Sequence, residues 1–155
     1  MRVYLVQHGQ SKSEQEDPQR RLTSQGIDEV QKIADFLRPL ELRLDAVWHS
    51  DKARAQQTAE LLAPTVSARD RVVQREGLGP KDQVAPTKQA LEEVGGEVMI
   101  VGHLPFLRNL AALMITGSEA KEIVRFQFGC VVCIERDENG KWKVAWMITP
   151  SLVHG

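Results

Sequence analysis

Arg2-Val3-Tyr4-Leu5-Val6 is a short apolar run of β-forming residues that breaks off in the polar stretch Gln7-His8-Gly9-Gln10-Ser11. Three further runs of the same kind follow at 46–48, 72–73 and 98–101, each bounded by polar residues or glycine, and each reads as a strand. Between them lie stretches with helical spacing: Ile27, Val30, Ile33, Ala34 and Leu37, then Ala55, Ala59, Leu62 and Ala63, then Ala90, Leu91 and Val94. Thr23 or Ser24 caps the first of these helices in this reading and Asp51 the second. Pro39, Pro64 and Gly95-Gly96 stop them in turn. A fourth helix is expected over 105–115, with Pro105 at its first position. Two final strands at 126–136 and 141–148 flank Asp137-Glu138-Asn139-Gly140, whose Asn-Gly pair is a strong hairpin signal. Alternation of β and α elements in this order implies an α/β three-layer sandwich, with a mainly parallel central sheet, helices on both faces and a C-terminal β-hairpin.

The bulk numbers agree with that class. At 155 residues the chain is the size of one domain, expected to span 1–155 without linker or repeat. Its 42% hydrophobic and 26% charged residues exclude intrinsic disorder. Twenty Lys and Arg against 21 Asp and Glu leave a net charge of −1, so no overall field recruits nucleic acid or an anionic membrane. The longest apolar stretch, 110–115, is far too short to span a bilayer, and Met1-Arg2 leads straight into the first strand, so a cytoplasmic location is expected. Cys130 and Cys133 form a Cys-x-x-C, but in a strand residues three apart face opposite ways. With no second Cys or His pair nearby, neither a disulfide nor a zinc site is expected.

In open α/β sheets ligands bind beyond the carboxyl ends of the strands, so the residues just after each apolar run carry the functional information. Those segments are Gln7-His8-Gly9-Gln10-Ser11, His49-Ser50-Asp51-Lys52-Ala53-Arg54, Arg75-Glu76-Gly77 and Gly102-His103-Leu104-Pro105. Two histidines, an arginine and a carboxylate at one sheet edge have the composition of a phosphoryl-transfer site. A neutral imidazole attacks phosphorus, while Arg and a second imidazolium hold the equatorial oxygens and absorb charge. The helix after His103 adds free N–H groups that favour an anion. His49, His154, Trp142 and Trp146 have no such context and are read as structural or solvated; Ser11 and Ser13 are loop hydroxyls within reach of a phosphate behind His8.

Taken together, these segments resemble the histidine phosphatase superfamily. Leu5-Val6-Gln7-His8-Gly9 is similar to its opening motif, usually Arg-His-Gly. Ser50 through Thr58, S-D-K-A-R-A-Q-Q-T, is similar to its second motif, and Val101-Gly102-His103-Leu104-Pro105 to its second-histidine motif. Small size, Arg21-Leu22-Thr23 followed by Gly26, and the hairpin ending resemble the minimal SixA-type phosphohistidine phosphatases. The resemblance implies a phosphatase that needs no metal and no cofactor. His8 is its nucleophile, Arg54 and His103 clamp the phosphoryl group, and Glu76 stands near the place of the family's acid, with Asp82 as the nearest alternative. It also implies a histidine-phosphorylated protein or a small phosphorylated substrate as partner, and a pocket that takes phosphate or sulfate.

Gln7 departs from the pattern. Arg offers phosphate a charged planar fork, whereas Gln offers one neutral NH2 group and an oxygen that repels phosphate. Losing a charge-assisted contact costs about 1.5–3 kcal/mol, or about 10- to 150-fold in rate. Arg20 or Arg21, in the loop before the first helix, is the expected source of replacement charge. Three functions remain open at this level: a phosphohistidine phosphatase, a catalytically weakened relative that binds a phosphorylated partner, and a broad small-molecule phosphomonoesterase.

Overall fold

A computed structural model describes residues 1–69 and 72–153; His154 lies outside them. Twelve regular elements succeed one another: β1 (Arg2–Gln7), α1 (Ser24–Leu37), β2 (Arg43–Leu44), β3 (Ala46–His49), α2 (Ala53–Leu62), β4 (Ser67–Ala68), β5 (Val72–Gln74), α3 (Ala85–Val94), β6 (Val98–Gly102), α4 (Phe106–Thr116), β7 (Val131–Arg136) and β8 (Trp142–Ile148). Six strands form one sheet in the order β5-β3-β6-β1-β7-β8. The first four run parallel, β7 runs antiparallel to β1, and β8 pairs antiparallel with β7. The α/β architecture and the closing hairpin are those expected. The two-residue parallel pair of β2 with β4 was not foreseen, because elements that short have no periodicity to read.

Alternation along the central strands divides the interior into two layers. Tyr4 and Val6 of β1, with Met99 and Val101 of β6, meet Val30, Ile33 and Leu37 of α1 and Ala55, Ala59 and Leu62 of α2. On the other face Val3, Leu5, Val98 and Ile100 meet Leu91 of α3 and Phe106, Leu107 and Leu110 of α4. Each large apolar side chain fully buried in this way stabilises the fold by about 1.5–3 kcal/mol. Among the described residues no helix is long and apolar enough to cross a membrane.

Local chemistry sets the element ends. Thr23 caps α1, its Oγ1 accepting the Gly26 N–H at 2.9 Å. Pro39 lies in the short 3₁₀ turn Arg38–Leu40 that stops the helix. Asp51, expected to cap α2, does not. The helix begins at Ala53 with Lys52 as its N-cap, and the Lys52 N–H is taken by Ser50 Oγ at 3.3 Å. Pro105 precedes α4 instead of opening it. The strand expected from 126 starts only at Val131, because Gln127 to Cys130 form a turn, with Cys130 N–H donating to Gln127 O at 3.1 Å and Gly129 at φ +75°. The two thiols are free and belong to different layers, Cys130 with the α4 side and Cys133 with the α1 side. Trp142 is buried, and Trp146 packs on Tyr4 with ring centroids 6.0 Å apart. The β7–β8 turn forms as the Asn-Gly signal predicts, with Asp137 Oδ1 accepting the N–H groups of Asn139 and Lys141 and Gly140 at φ +79°.

The loop leaving β1 is held to α1 by a close approach. A Cβ on Gly26 would overlap the backbone carbonyl of Gln10, which also accepts the Thr23 N–H at 3.0 Å. Because this contact is backbone against backbone, neither side yields cheaply. Gly26→Ala is therefore expected to destabilise the protein by about 1–3 kcal/mol, read as a lowered midpoint in urea unfolding; an unchanged midpoint would show that the loop moves aside freely.

Candidate active site

The parallel pairing of β1 with β6 places Gln7 opposite Gly102, and His8 N–H extends the ladder by donating to Gly102 O at 3.0 Å. Residues 8 and 103 are thus neighbours one step beyond the strand ends, although 95 positions separate them in sequence. Their ring centroids are 5.0 Å apart. β3 ends beside β6 and delivers Ser50, whose Oγ lies 2.6 Å from His103 Nε2. α2 follows and places Arg54 in its first turn. His8, His103 and Arg54 come together at the carboxyl edge of the parallel strands.

Protons in this cluster are set by its partners. His8 Nδ1 lies 2.7 Å from Gly9 O, and a carbonyl only accepts, so the proton resides on Nδ1 and Nε2 keeps a free lone pair. Ser50 Oγ receives the Lys52 N–H and keeps its own proton to share with His103 Nε2 at 2.6 Å; in the tautomer where the serine donates, His103 Nδ1 carries the ring proton. Gly9 is pinned in turn. Its N–H donates to Thr58 Oγ1 at 3.0 Å, and that hydroxyl donates to Arg54 O at 2.8 Å, one turn back along α2. One threonine thereby ties the loop that orients His8 to the helix that carries Arg54.

The cluster is largely buried and electropositive. Burial, followed by the Arg54 and Arg20 charges, pushes the His8 imidazole down to about 4, even though its bond to Gly9 acts in the opposite direction. His103 is pushed down to about 3 by burial first, then by His8, Arg54, Lys52 and Arg20. Burial and the nearby Arg20 also lower Arg54, with Asp51 opposing them. Both rings are therefore neutral at pH 7, inside a ring of fixed positive charge. Among the described residues, the buried side-chain polar atoms without a hydrogen-bond partner are Gln7 Oε1, Arg54 Nε and His103 Nδ1. Native interiors rarely leave such groups unpaired, and two of the three, Arg54 Nε and His103 Nδ1, belong to this cluster.

The other candidates divide. Gln7 is buried beside His8, its main chain paired with Cys130 and Gly129. Arg20 lines an open cleft of about 560 Å³ with Arg54 and Lys52, and Glu14 and Asp51 line it too. Its backbone is left-handed, φ +51°, because the buried Asp17 carboxylate gathers the N–H groups of Gln19 and Arg21 and curls the loop. Arg21 is drawn away, its Nε donating to Asp17 at 2.8 Å, so of the two arginines only Arg20 faces the cleft. Ser11 bridges to Leu22 behind His8. Glu76 is exposed in the turn after β5, in a smaller cleft of about 190 Å³ that meets the histidines only through Ser50. Asp82, in the same cleft, accepts the Gly79 N–H at 2.7 Å. His49 is buried, with Nδ1 2.7 Å from Ser50 O. Sequence reasoning passed over Ser50, Thr58, Asp17 and Phe128, whose ring centroid is 5.6 Å from that of His8. Thr58 had a signal, a β-branched hydroxyl residue inside a helix. Phe128 was hidden by reading its turn as strand. Among the described residues no three His, Cys, Asp or Glu side chains gather as a metal cage.

Comparison with known proteins agrees with this architecture. Residues 3–79 match the model of the histidine phosphatase superfamily, branch 1. The chain is 26% identical over 155 residues to the phosphohistidine phosphatase SixA of Escherichia coli K12, covering 97% of this chain and 94% of that protein. An uncharacterised protein of a Picosynechococcus strain is 30% identical over 125 residues, 76% of this chain and 74% of the relative. The solved structure of the protein histidine phosphatase SixA complexed with tungstate superposes with a TM-score of 0.83 at 26% identity, covering 97% of this chain and 98% of that one. With its histidine pair and arginine at the carboxyl edge of a parallel sheet, and with these relatives, the chain belongs to the histidine phosphatase superfamily.

Proposed function

We propose that the protein is a metal-independent phosphohistidine phosphatase, acting through His8 on a histidine-phosphorylated signalling or phosphotransfer protein in the cytoplasm, with 1–155 working as one domain. The observation that carries this reading is the set of unpaired buried atoms around His8 and His103. Arg54 Nε and His103 Nδ1 offer two N–H donors to one tetrahedral oxyanion. Tungstate, found in the SixA structure, is an anion of that shape.

The reaction balances on these residues alone. His8 Nε2 forms a bond to phosphorus while the P–N bond of the substrate breaks, and its electron pair stays on the leaving ring nitrogen. A substrate imidazole protonated on its other nitrogen leaves neutral, so a strong general acid is not required. That relaxes the demand on Glu76, which is exposed in a separate cleft. The phosphorylated His8 ring is cationic and keeps its Nδ1 proton against Gly9 O. Water then attacks phosphorus, the N–P bond returns its pair to Nε2, orthophosphate departs and the water proton passes to solvent. Arg54, His103 and the Arg20 charge at the cleft hold the phosphoryl oxygens in both steps.

A weakened relative that binds without turnover is the second reading, favoured by the neutral Gln7. Incubation with a histidine-phosphorylated phosphotransfer domain separates the two. Wild-type protein is expected to release the label, His8→Ala at least about 1,000-fold more slowly, and EDTA to change neither. Equal rates for wild type and His8→Ala would discard the catalytic reading.

The depressed imidazoles give the pH dependence a sign. Protonation removes the Nε2 lone pair, so kcat/KM falls as pH drops, and the limb reports the free enzyme. Because His8 titrates at about 4 rather than 6.5, activity should persist through pH 6 and fall only near 4 to 5. A midpoint near 6.5 would show that the ring is hydrated in solution.

Gln7→Arg should raise phosphohistidine turnover by about 10- to 100-fold through one charge-assisted contact. Turnover appearing only in that variant would establish the binding reading for the wild type. No change would show that Arg20 already supplies the charge.

A further inference from the structure

Phe128 stands out among the exposed apolar side chains. It is 46% exposed yet lies against the nucleophile, its ring tilted 42° to the His8 ring at a centroid distance of 5.6 Å. Hydrophobic packing does not explain its place, since nearly half of its surface faces water. Nor is it on a slack loop. It occupies the corner of the Gln127–Cys130 turn, and the next N–H, that of Gly129, is shared between Gln7 O at 3.0 Å and His8 O at 3.2 Å. Gly129 adopts φ +75°, and a Cβ there would press on Pro150 Cγ at 3.1 Å. Backbone bonds to the catalytic strand itself therefore hold an aromatic ring at the rim of the site.

The basic cleft accounts for one side of the site only. Arg20, Lys52 and Arg54 line it together with Glu14 and Asp51, whereas Phe128 lies directly against the His8 ring, so a substrate on His8 meets an aromatic ring as well as the Arg54 and Arg20 charges that act on that imidazole. In-line displacement puts the leaving nitrogen on the far side of phosphorus from Nε2, outward from the buried His8 and toward the rim. There the charged wall suits phosphoryl oxygens, and the apolar wall suits a flat, weakly polar leaving group.

We propose that Phe128 is a specificity-determining residue whose exposed face packs against the imidazole ring of the leaving histidine, selecting aromatic phosphoramidates over those with a small aliphatic or ammonia leaving group. The proposal rests on the phosphohistidine reading above and names how that substrate is recognised. Aromatic contact of this kind prefers offset or tilted rings and adds modest, geometry-dependent affinity.

The test uses two substrates with the same scissile P–N bond, phosphoimidazole and phosphoramidate, on the full chain. The ratio of their kcat/KM values is expected to fall by about 3- to 10-fold in Phe128→Ala and in Phe128→Leu, which keeps bulk but loses the flat ring, and to be restored in Phe128→Tyr. Thermal midpoints of the variants confirm folding. If both rates fall together and the acid limb of kcat/KM moves up toward 6.5, Phe128 only shields His8 from water and the proposal is wrong. An unchanged ratio with unchanged rates overturns it as well. Wild type that hydrolyses phosphoramidate but not phosphoimidazole overturns it while leaving the phosphatase chemistry intact. Failure on both, at the level of His8→Ala, removes the phosphatase reading and the proposal with it.

Discussion

Everything at the site depends on the register between β1 and β6. With Val3 opposite Val98 and Gln7 opposite Gly102, the ladder ends so that two histidines emerge side by side. The register is strongly fixed, because a slip of one residue would turn Tyr4 and Val6 out of one apolar layer and into the other, against different helices. Catalytic geometry is therefore inherited from core packing, and the distance between the rings is set by residues that never meet a substrate.

Much of this was legible in the chain. The apolar runs, their order and the polar residues at their ends pointed to an α/β sheet with His8, Arg54 and His103 at one edge, because strand-end placement follows from topology and needs no side-chain detail. What could not be read was anything decided by a single torsion or a long-range hydrogen bond. Arg20 and Arg21 are indistinguishable as letters; Asp17 separates them, drawing one back and leaving the other over the cleft. The Ser50–His103 contact joins residues 53 apart and has no local signature. Phe126 to Cys130 is apolar enough to read as strand, and only the left-handed Gly129 makes it a turn.

The site is built at an energetic cost. Two imidazoles are held in a setting that opposes their charged forms, with cations nearby and three polar atoms left unpaired. A chain selected for stability alone would fill such positions with apolar side chains. On the proposed reading, leaving Arg54 Nε and His103 Nδ1 unpaired keeps two donors free for an oxyanion, so little reorganisation is needed when one arrives. Thr58 and Ser50 limit that cost by fixing Gly9 and His103 through hydrogen bonds that are themselves fully paired.

The sheet order also bears on how the protein is made. β1 leaves the ribosome well before its neighbours on either side, β6 and β7, which begin at Val98 and Val131. Until they arrive, an apolar N-terminal strand has no edge to pair with, and closing so wide a chain loop is slow compared with forming α1 or α2. His8 is thus synthesised long before the strands that position it. A nascent chain cut short between α2 and β6 carries His8 and Arg54 but neither His103 nor the strand that sets it beside His8, so it has no assembled pocket.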